Sequence, residues 1–211
     1  MARAKSDNLL APHPEGALLL WATEGVDISD LEQMADAADL AAVEGLKGAR
    51  RTERLMWRVL ARRLIDNRPL EVEYTTEGAP HVKNFPYAHI SVSHCRESVA
   101  VVASNSRCGV DVESLNRNFR RIAPRYISPE EWSLKPDGIS AEGEQLFMAA
   151  VWCAKECLFK MYGRKGLNYC HDITIDRLDL CRMEAVGRVE RHRRVKMKIK
   201  LQGDYIIVYH K

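Results

Sequence analysis

The chain has 211 residues, 46% of them hydrophobic, so it is long enough to bury one large core or two small ones. Its 32 basic residues nearly balance 29 acidic ones, and a net charge of +3 lacks the concentrated positive field typical of nucleic-acid binders. The apolar run Ala17–Ala22 is too short to cross a bilayer and has neither a basic flank nor a cleavage site. We therefore expect a cytoplasmic protein that binds no nucleic acid and no membrane.

Cysteine usage agrees with that compartment. The six cysteines include no CxxC pair, which favours reduced, mostly buried thiols over disulfides. Cys153 and Cys157 share a predicted helix face, and with His94 or His171 they form an alternative zinc site. The absence of close-spaced ligand pairs of the usual kind disfavours zinc.

In chain order, residues 1–16 are predicted to be a flexible terminus, because Pro12 and Pro14 interrupt a polar stretch. The elements predicted next are a strand at 17–23, helices at 31–46 (with a break near Gly45) and 49–66, a strand at 70–74, and a meander with strands at 88–93, 98–104 and 108–113.

A second series of elements follows. Residues from 116 onward look helical, and Ser128 with Pro129 marks a helix start. After these come a long helix at 143–162 and strands at 172–178, 183–192, 195–201 and 205–209.

The order of elements predicts an α+β fold with two similar halves, residues 17–108 and 109–211. Each half is expected to be a small, mainly antiparallel sheet packed on a long helix, and the two halves to have a pseudo-twofold arrangement.

Two stretches concentrate acidic side chains. In the predicted strand at 108–113, Asp111 and Glu113 are two residues apart and so share one face. In the long helix, Glu156 and Lys160 are four residues apart and share a face with Trp152. If the helix crosses the strand, three carboxylates and a lysine converge, and oxygen ligands of this kind suit Mg²⁺. A solvated strand edge beside an ordinary Glu–Lys pair is the alternative, which spacing alone favours.

Three basic features permit two interpretations each. The arginines of the second helix form either a solvated face with ion pairs, which the spacing favours, or a phosphate site at Arg50, Arg51 and Thr52. His94, at a strand end, is either a phosphate donor or a turn residue. The lysines at 196, 198 and 200 alternate with aliphatic residues, which favours a charged edge strand over a docking surface.

With these residues laid out, the sequence resembles the 4'-phosphopantetheinyl transferases, from about Leu18 to Leu178. Residues 109–113 match the family's G-[IV]-D-[IV]-E motif. Residues 152–160 match W-x-x-K-E-[AS]-x-x-K, with Cys157 where Ala or Ser is usual, and residues 90–94 match I-S-x-S-H. The chain length resembles the two-halved, surfactin-synthetase-activating type, in which coenzyme A lies between the halves.

The resemblance implies a Mg²⁺-dependent transfer of the phosphopantetheine arm of coenzyme A to a serine of an acyl or peptidyl carrier protein, releasing adenosine 3',5'-bisphosphate. It implies metal ligands at Asp111, Glu113 and Glu156, with Glu156 also a base for the serine proton. Lys155 and Lys160 would stabilise charge on the phosphates and the leaving group.

The resemblance also implies which residues contact the phosphates of coenzyme A; they are Arg51, Thr52, Ser93, His94, Lys160 and Lys165.

One departure affects that binding. The family's G-K-P turn reads Gly78, Ala79, Pro80 in this chain, so the lysine is lost or replaced by a neighbour such as His81 or Lys83. The carrier is expected to be acidic and to dock on basic residues near Lys165, and the enzyme to be a monomer. A Mg²⁺-dependent phosphohydrolase and a non-catalytic module that binds coenzyme A or a carrier are the alternative functions.

Overall fold

The computed structural model describes residues 16–22, 27–76, 78–95, 98–162 and 166–211, with only the backbone at 18–22. The predicted flexible terminus, apart from Gly16, lies outside these residues. Within them, no helix is long and apolar enough to cross a membrane.

The described residues form two compact units. Unit 1 ends at Cys108 and includes Lys211, and unit 2 runs from Gly109 to His210. Both contain helices and antiparallel sheet, so the predicted α+β class is confirmed. The pseudo-twofold arrangement stays a prediction.

Unit 1 packs its longest helix on a three-stranded sheet with the strand order β1-β5-β4. Its helices are α1 (Ile28–Met34), α2 (Ala37–Ala41) and α3 (Gly48–Arg62). Its strands are β1 (Ala17–Ala22), β2 (Val72–Tyr74), β3 (Pro80–Val82), β4 (His89–Cys95) and β5 (Ser98–Ser104), with β2 and β3 forming a separate antiparallel pair. The central strand β5 is buried along its whole length.

The prediction of one helix at 31–46 is wrong. The helix breaks between α1 and α2, because Asp36 accepts a hydrogen bond from the backbone of Asp39 (2.8 Å) and starts a new helix with a capping box. Helix α3 begins one residue earlier than predicted and ends at Arg62, followed by a 3-10 turn over Arg63–Ile65.

Unit 2 is a five-stranded antiparallel sheet, in the order β6-β10-β9-β8-β7, with the long helix α5 packed on it. Its helices are α4 (Pro129–Trp132) and α5 (Ala141–Tyr162). Its strands are β6 (Gly109–Ser114), β7 (Ile173–Asp179), β8 (Glu184–Val189), β9 (Val195–Gln202) and β10 (Tyr205–His210). The helix start at Ser128 is confirmed, because its hydroxyl and the side chain of Glu131 form a capping box.

Two predicted strand roles are wrong. Strand β6 was predicted to close the meander, yet it pairs with β10, where Asp111 lies opposite Val208. Strand β9 was predicted at an edge, yet it lies between β8 and β10; its alternation is confirmed, with Lys196 and Lys198 exposed. Neighbouring strands in the sequence pair often but not always, and a strict alternation does not reveal which strands lie beside it. The region after residue 116 contains turns and one 3-10 turn at Ala123–Arg125 rather than a regular helix.

Candidate active site

Strand β6 and helix α5 of unit 2 approach each other very closely. A Cβ atom at Gly109 would lie 2.3 Å from the carbonyl oxygen of Cys157 and 2.6 Å from Cγ of Met161. No side chain larger than hydrogen fits there, which explains why the motif begins with glycine. The close approach brings the acidic residues of β6 next to those of α5.

Asp111 and Glu113 both contact side chains of α5. Lys160 donates from Nζ to Oδ1 of Asp111 (2.7 Å) and to the carbonyl oxygen of Val110 (3.1 Å). The indole nitrogen of Trp152 donates to Oε1 of Glu113 (3.1 Å). The strand and the helix are therefore in contact, as the sequence predicted.

Two further contacts engage the glutamates. Arg117 forms an ion pair with Glu113, and its guanidinium lies 4.9 Å from the centre of the Trp152 ring. The phenol of Tyr169 donates to Oε1 of Glu156 (2.8 Å). Each of the three carboxylates is thus engaged by a different donor.

The charge of Asp111 acts on both glutamates. Burial raises the pKa of Glu113 above its ordinary value, and the charge of Asp111 raises it further, against the lowering effect of Arg117. Burial and then the charge of Asp111 likewise raise the pKa of Glu156. Like charges oppose one another's ionisation, so this corner of unit 2 favours additional positive charge.

The chemistry of this donor set fits a hard divalent cation. Carboxylate oxygens on a strand and a helix are the ligands that Mg²⁺ prefers, and the charge of Asp111 raises the pKa of both Glu113 and Glu156, which places it within range of each. In the described part of the chain, however, no three acidic, histidine or cysteine side chains are already gathered as a metal cluster. The alternative zinc ligands, Cys153 and Cys157 with His94 or His171, are likewise not gathered into a cluster in this part of the chain.

The structure corrects the prediction for Lys155. Its side chain is fully buried, and its Nζ donates to Oε2 of Glu131 and to the carbonyl oxygen of Tyr169, both at 2.6 Å. Burial lowers its pKa, against the raising effect of Glu131. An amine enclosed in this way cannot contact a substrate phosphate, so Lys155 supports the site from inside. Lys160, about one-quarter exposed, is the lysine of α5 that reaches the carboxylates.

Unit 1 contains a separate open cavity of about 460 Å³. Its lining combines basic, aromatic, aliphatic and turn residues with one acidic residue; they are Leu46, Arg50, Glu53, Arg54, Trp57, Tyr74, Gly78, Pro80, Val92 and His94. The guanidinium of Arg54 lies over the ring of Tyr74, 4.8 Å from its centre, and donates to the Tyr74 hydroxyl. Such a lining suits a ligand that carries both an aromatic ring and a phosphate.

Of the predicted coenzyme A contacts that the structure describes, only His94 lines this cavity. Its Nδ1 lies 3.3 Å from a carboxylate oxygen of Glu53. Arg51 instead binds Glu32 (2.7 Å) and the carbonyl oxygen of Val43 (2.8 Å). Thr52 donates to the carbonyl oxygen of Gly48 at 3.5 Å, and Ser93 is buried on the other face of β4 from His94. Lys165 lies outside the described residues.

The sequence did not single out several of the cavity and site residues. Arg50, which the sequence placed in the candidate phosphate site with Arg51 and Thr52, does line the cavity. Arg54, one turn later on α3, was predicted only as part of a solvated face. Tyr74 and Trp57 gave no signal. Tyr169, which holds Glu156, lies outside every motif, and only the fold brings it there.

Comparison with known proteins places the strongest similarity in unit 2. Residues 107–209 match the family model of the 4'-phosphopantetheinyl transferase superfamily. The chain is 32% identical over 129 residues to the 4'-phosphopantetheinyl transferase psf-1 of Bacillus pumilus, covering 57% of this chain and 53% of that protein. It is 26% identical over 91 residues to a 4'-phosphopantetheinyl transferase of Bacillus subtilis, covering 43% and 40% respectively. The chain thus spans about half the length of these relatives or less. The resemblance drawn from the motifs is confirmed.

Proposed function

We propose that this chain, which belongs to the 4'-phosphopantetheinyl transferase superfamily, moves the phosphopantetheine arm of coenzyme A to a serine of an acyl or peptidyl carrier protein. The serine oxygen forms a bond to the phosphorus that bears the pantetheine, and the bond from that phosphorus to the oxygen of adenosine 3',5'-bisphosphate breaks. The serine proton passes to a base, and the bisphosphate leaves.

The observation that carries this proposal is the group formed by Asp111, Glu113, Glu156 and Lys160. Strand β6 and helix α5 bring these side chains to one corner of unit 2, and the charge of Asp111 raises the pKa of both glutamates. We propose that Asp111, Glu113 and Glu156 hold Mg²⁺, which supplies charge neutralisation and polarisation of the phosphorus when bound.

The residues of this corner have separate roles in the proposal. Glu156 is proposed to accept the serine proton, directly or through a water molecule. Lys160 stabilises negative charge that develops on the leaving phosphate, since its amine is partly exposed. Lys155 acts indirectly, through the backbone of Tyr169.

The cavity of unit 1 supports the binding of coenzyme A. We assign the adenosine phosphate to Arg50, Arg54 and His94, and the base to the aromatic surfaces of Trp57 and Tyr74. The arginines take the place of the lysine missing at Ala79, since neither His81 nor Lys83 lines the cavity.

The carrier is proposed to be acidic and to meet exposed basic side chains of unit 2. Lys196 and Lys198 are exposed along β9 and supply positive charge for long-range attraction. The six cysteines form no disulfide with one another, as is usual for the reducing cytoplasm in which we propose that the protein acts.

Incubation of an apo carrier protein with the protein, coenzyme A and Mg²⁺, followed by intact-mass spectrometry, tests the function. A transferase adds one phosphopantetheine mass and releases one adenosine 3',5'-bisphosphate per carrier. Release of inorganic phosphate, or cleavage of coenzyme A without carrier, would show a phosphohydrolase instead. Binding of coenzyme A without any product would show a non-catalytic module.

A further inference from the structure

Two aromatic side chains stack beside the carboxylates of unit 2. Trp152 comes from helix α5, and Tyr169 comes from the turn just before β7. Their ring centres are 5.7 Å apart, and the ring planes differ by only 20°. Phe159 packs against the Tyr169 ring as well, at 5.8 Å. The two rings therefore hold each other in fixed orientations.

Each ring of this pair donates a hydrogen bond to a different glutamate. The indole nitrogen of Trp152 reaches Oε1 of Glu113, and the phenol of Tyr169 reaches Oε1 of Glu156. An indole N–H is only a donor, and a phenol facing an ionised carboxylate acts as a donor. The stacked pair thus sets the orientation of both carboxylates together.

The main chain of Tyr169 is also anchored. Its carbonyl oxygen accepts a hydrogen bond of 2.6 Å from Lys155, whose amine is fully buried and paired with Glu131. Glu131 in turn accepts a hydrogen bond from the backbone nitrogen of Ile175 on β7, at 2.7 Å. A continuous set of buried contacts therefore fixes the tyrosine at both its backbone and its hydroxyl.

We infer that Tyr169 is a positioning residue, whose phenol orients Glu156 for a divalent cation, in concert with the Trp152 ring that orients Glu113. This inference rests on the proposed function, because it assigns that cation to the same carboxylates. A carboxylate has two oxygens, so a hydrogen bond to Oε1 leaves the group able to ligate a metal. Partners that hold ligating side chains commonly change metal affinity by about 10- to 100-fold when removed.

Substitution Tyr169→Phe tests the inference, because it removes the hydroxyl and keeps the stacked ring. Tyr162→Phe is the matched control, since Tyr162 also lies in unit 2 but its ring packs on His192, at 4.4 Å between ring centres. The affinity for Mn²⁺ is measured from the electron paramagnetic resonance signal of the free ion, with and without coenzyme A. We expect Tyr169→Phe to weaken Mn²⁺ binding about tenfold and Tyr162→Phe to leave it unchanged.

Equal Mn²⁺ affinities of the wild type and Tyr169→Phe would overturn the inference, as would an equal loss in Tyr162→Phe. A wild type that binds no Mn²⁺ under either condition overturns it too. Circular-dichroism melting of both variants shows whether either substitution destabilises the fold. A tenfold weaker Mn²⁺ affinity at an unchanged melting temperature supports a role of the Tyr169 hydroxyl in orienting Glu156. The mass assay for phosphopantetheine transfer is run separately, so a protein that binds Mn²⁺ as expected without transferring anything would refute the function alone.

Discussion

In both units, a buried acidic residue of a short helix pairs with a basic residue of a long helix. The consequences for the two candidate sites differ. In unit 1, Asp39 closes a capping box and is fully buried between Arg58 and Arg62 of α3, at 2.9 and 2.8 Å. In unit 2, Glu131 closes a capping box and is buried against Lys155 of α5. Burying a charge is costly unless it is paired and hydrogen-bonded, and both acids meet that condition.

The two units differ in the other hydrogen bonds that the buried basic side chains donate. Lys155 also binds the backbone of Tyr169, whose hydroxyl holds Glu156, so the buried pair of unit 2 is connected to the carboxylates. Arg58 and Arg62 bind backbone carbonyl oxygens of α1, α2 and nearby loops, while the cavity is lined by Arg50 and Arg54 nearer the start of α3. We therefore expect changes in unit 2 to affect turnover and changes in unit 1 to affect stability or substrate affinity.

The largest expected effect is that of Asp111→Asn. Loss of this charge removes a proposed metal ligand and the ion-pair partner of Lys160, so the transfer rate should fall at least about 100-fold at saturating coenzyme A. Turnover is measured by the mass assay, with Asp204→Asn, an exposed acid of the same unit, as control. A near-normal kcat for Asp111→Asn would show that Asp111 takes no part in the reaction.

Asp39→Asn should be the most destabilising change in unit 1. It removes the anion of Arg58 and one of two anions of Arg62, which keeps Asp36 at 3.4 Å, and is expected to cost about 4 kcal/mol of unfolding free energy. Urea unfolding followed by circular dichroism measures the loss. A change under about 1 kcal/mol would show that water or backbone oxygens satisfy the arginines instead.

Lys155→Met should lower stability by about 3 kcal/mol, because Glu131 then loses its buried cation. Unlike Asp39→Asn, it should also weaken Mn²⁺ binding, since the backbone anchor of Tyr169 is lost. The double variant Lys155→Met with Glu131→Gln should recover part of the stability but not the metal affinity. Recovery of both the stability and the Mn²⁺ affinity would show that the Lys155–Glu131 pair does not position the carboxylates.

Arg54→Ala is expected to raise the KM for coenzyme A about tenfold and to leave kcat nearly unchanged, since it removes a cavity cation but no reacting group. Lys83→Ala is the matched control. Lys83 is exposed, pairs with Glu73 at 2.6 Å and does not line the cavity. If Lys83→Ala raised the KM for coenzyme A more than Arg54→Ala did, the phosphate would contact the β3 region rather than α3.

The smallest effect concerns thiol reactivity. Burial raises the pKa of Cys108 to about 12 and raises that of Cys153 well above its ordinary value. Because the thiolate is the reactive form, both should resist iodoacetamide at pH 8, while the exposed Cys181 should react first. Peptide mass mapping after brief labelling gives the order, and early modification of Cys108 would contradict the burial.

Much of the fold was predictable because its signals are local. Helix α5 and the alternating strand β9 follow from hydrophobic periodicity, and the start of α4 follows from the capping residues Ser128 and Glu131. The break between α1 and α2 was misplaced, because a capping box at Asp36 outweighed the helix propensity of the surrounding alanines. Strand order was not predictable, since β6 pairs with β10, which follows it by nearly the whole of unit 2.

The sequence by itself determined which residue types meet in this protein: a strand with two carboxylates on one face, a helix with a glutamate and a lysine one turn apart, and the family to which those motifs point. Only the tertiary structure decided their partners. It buried Lys155, paired Arg51 away from the cavity, exposed Arg54 to it and brought Tyr169 to Glu156. Periodicity fixes the direction of a side chain relative to its own element, whereas burial and hydrogen bonding depend on what packs opposite.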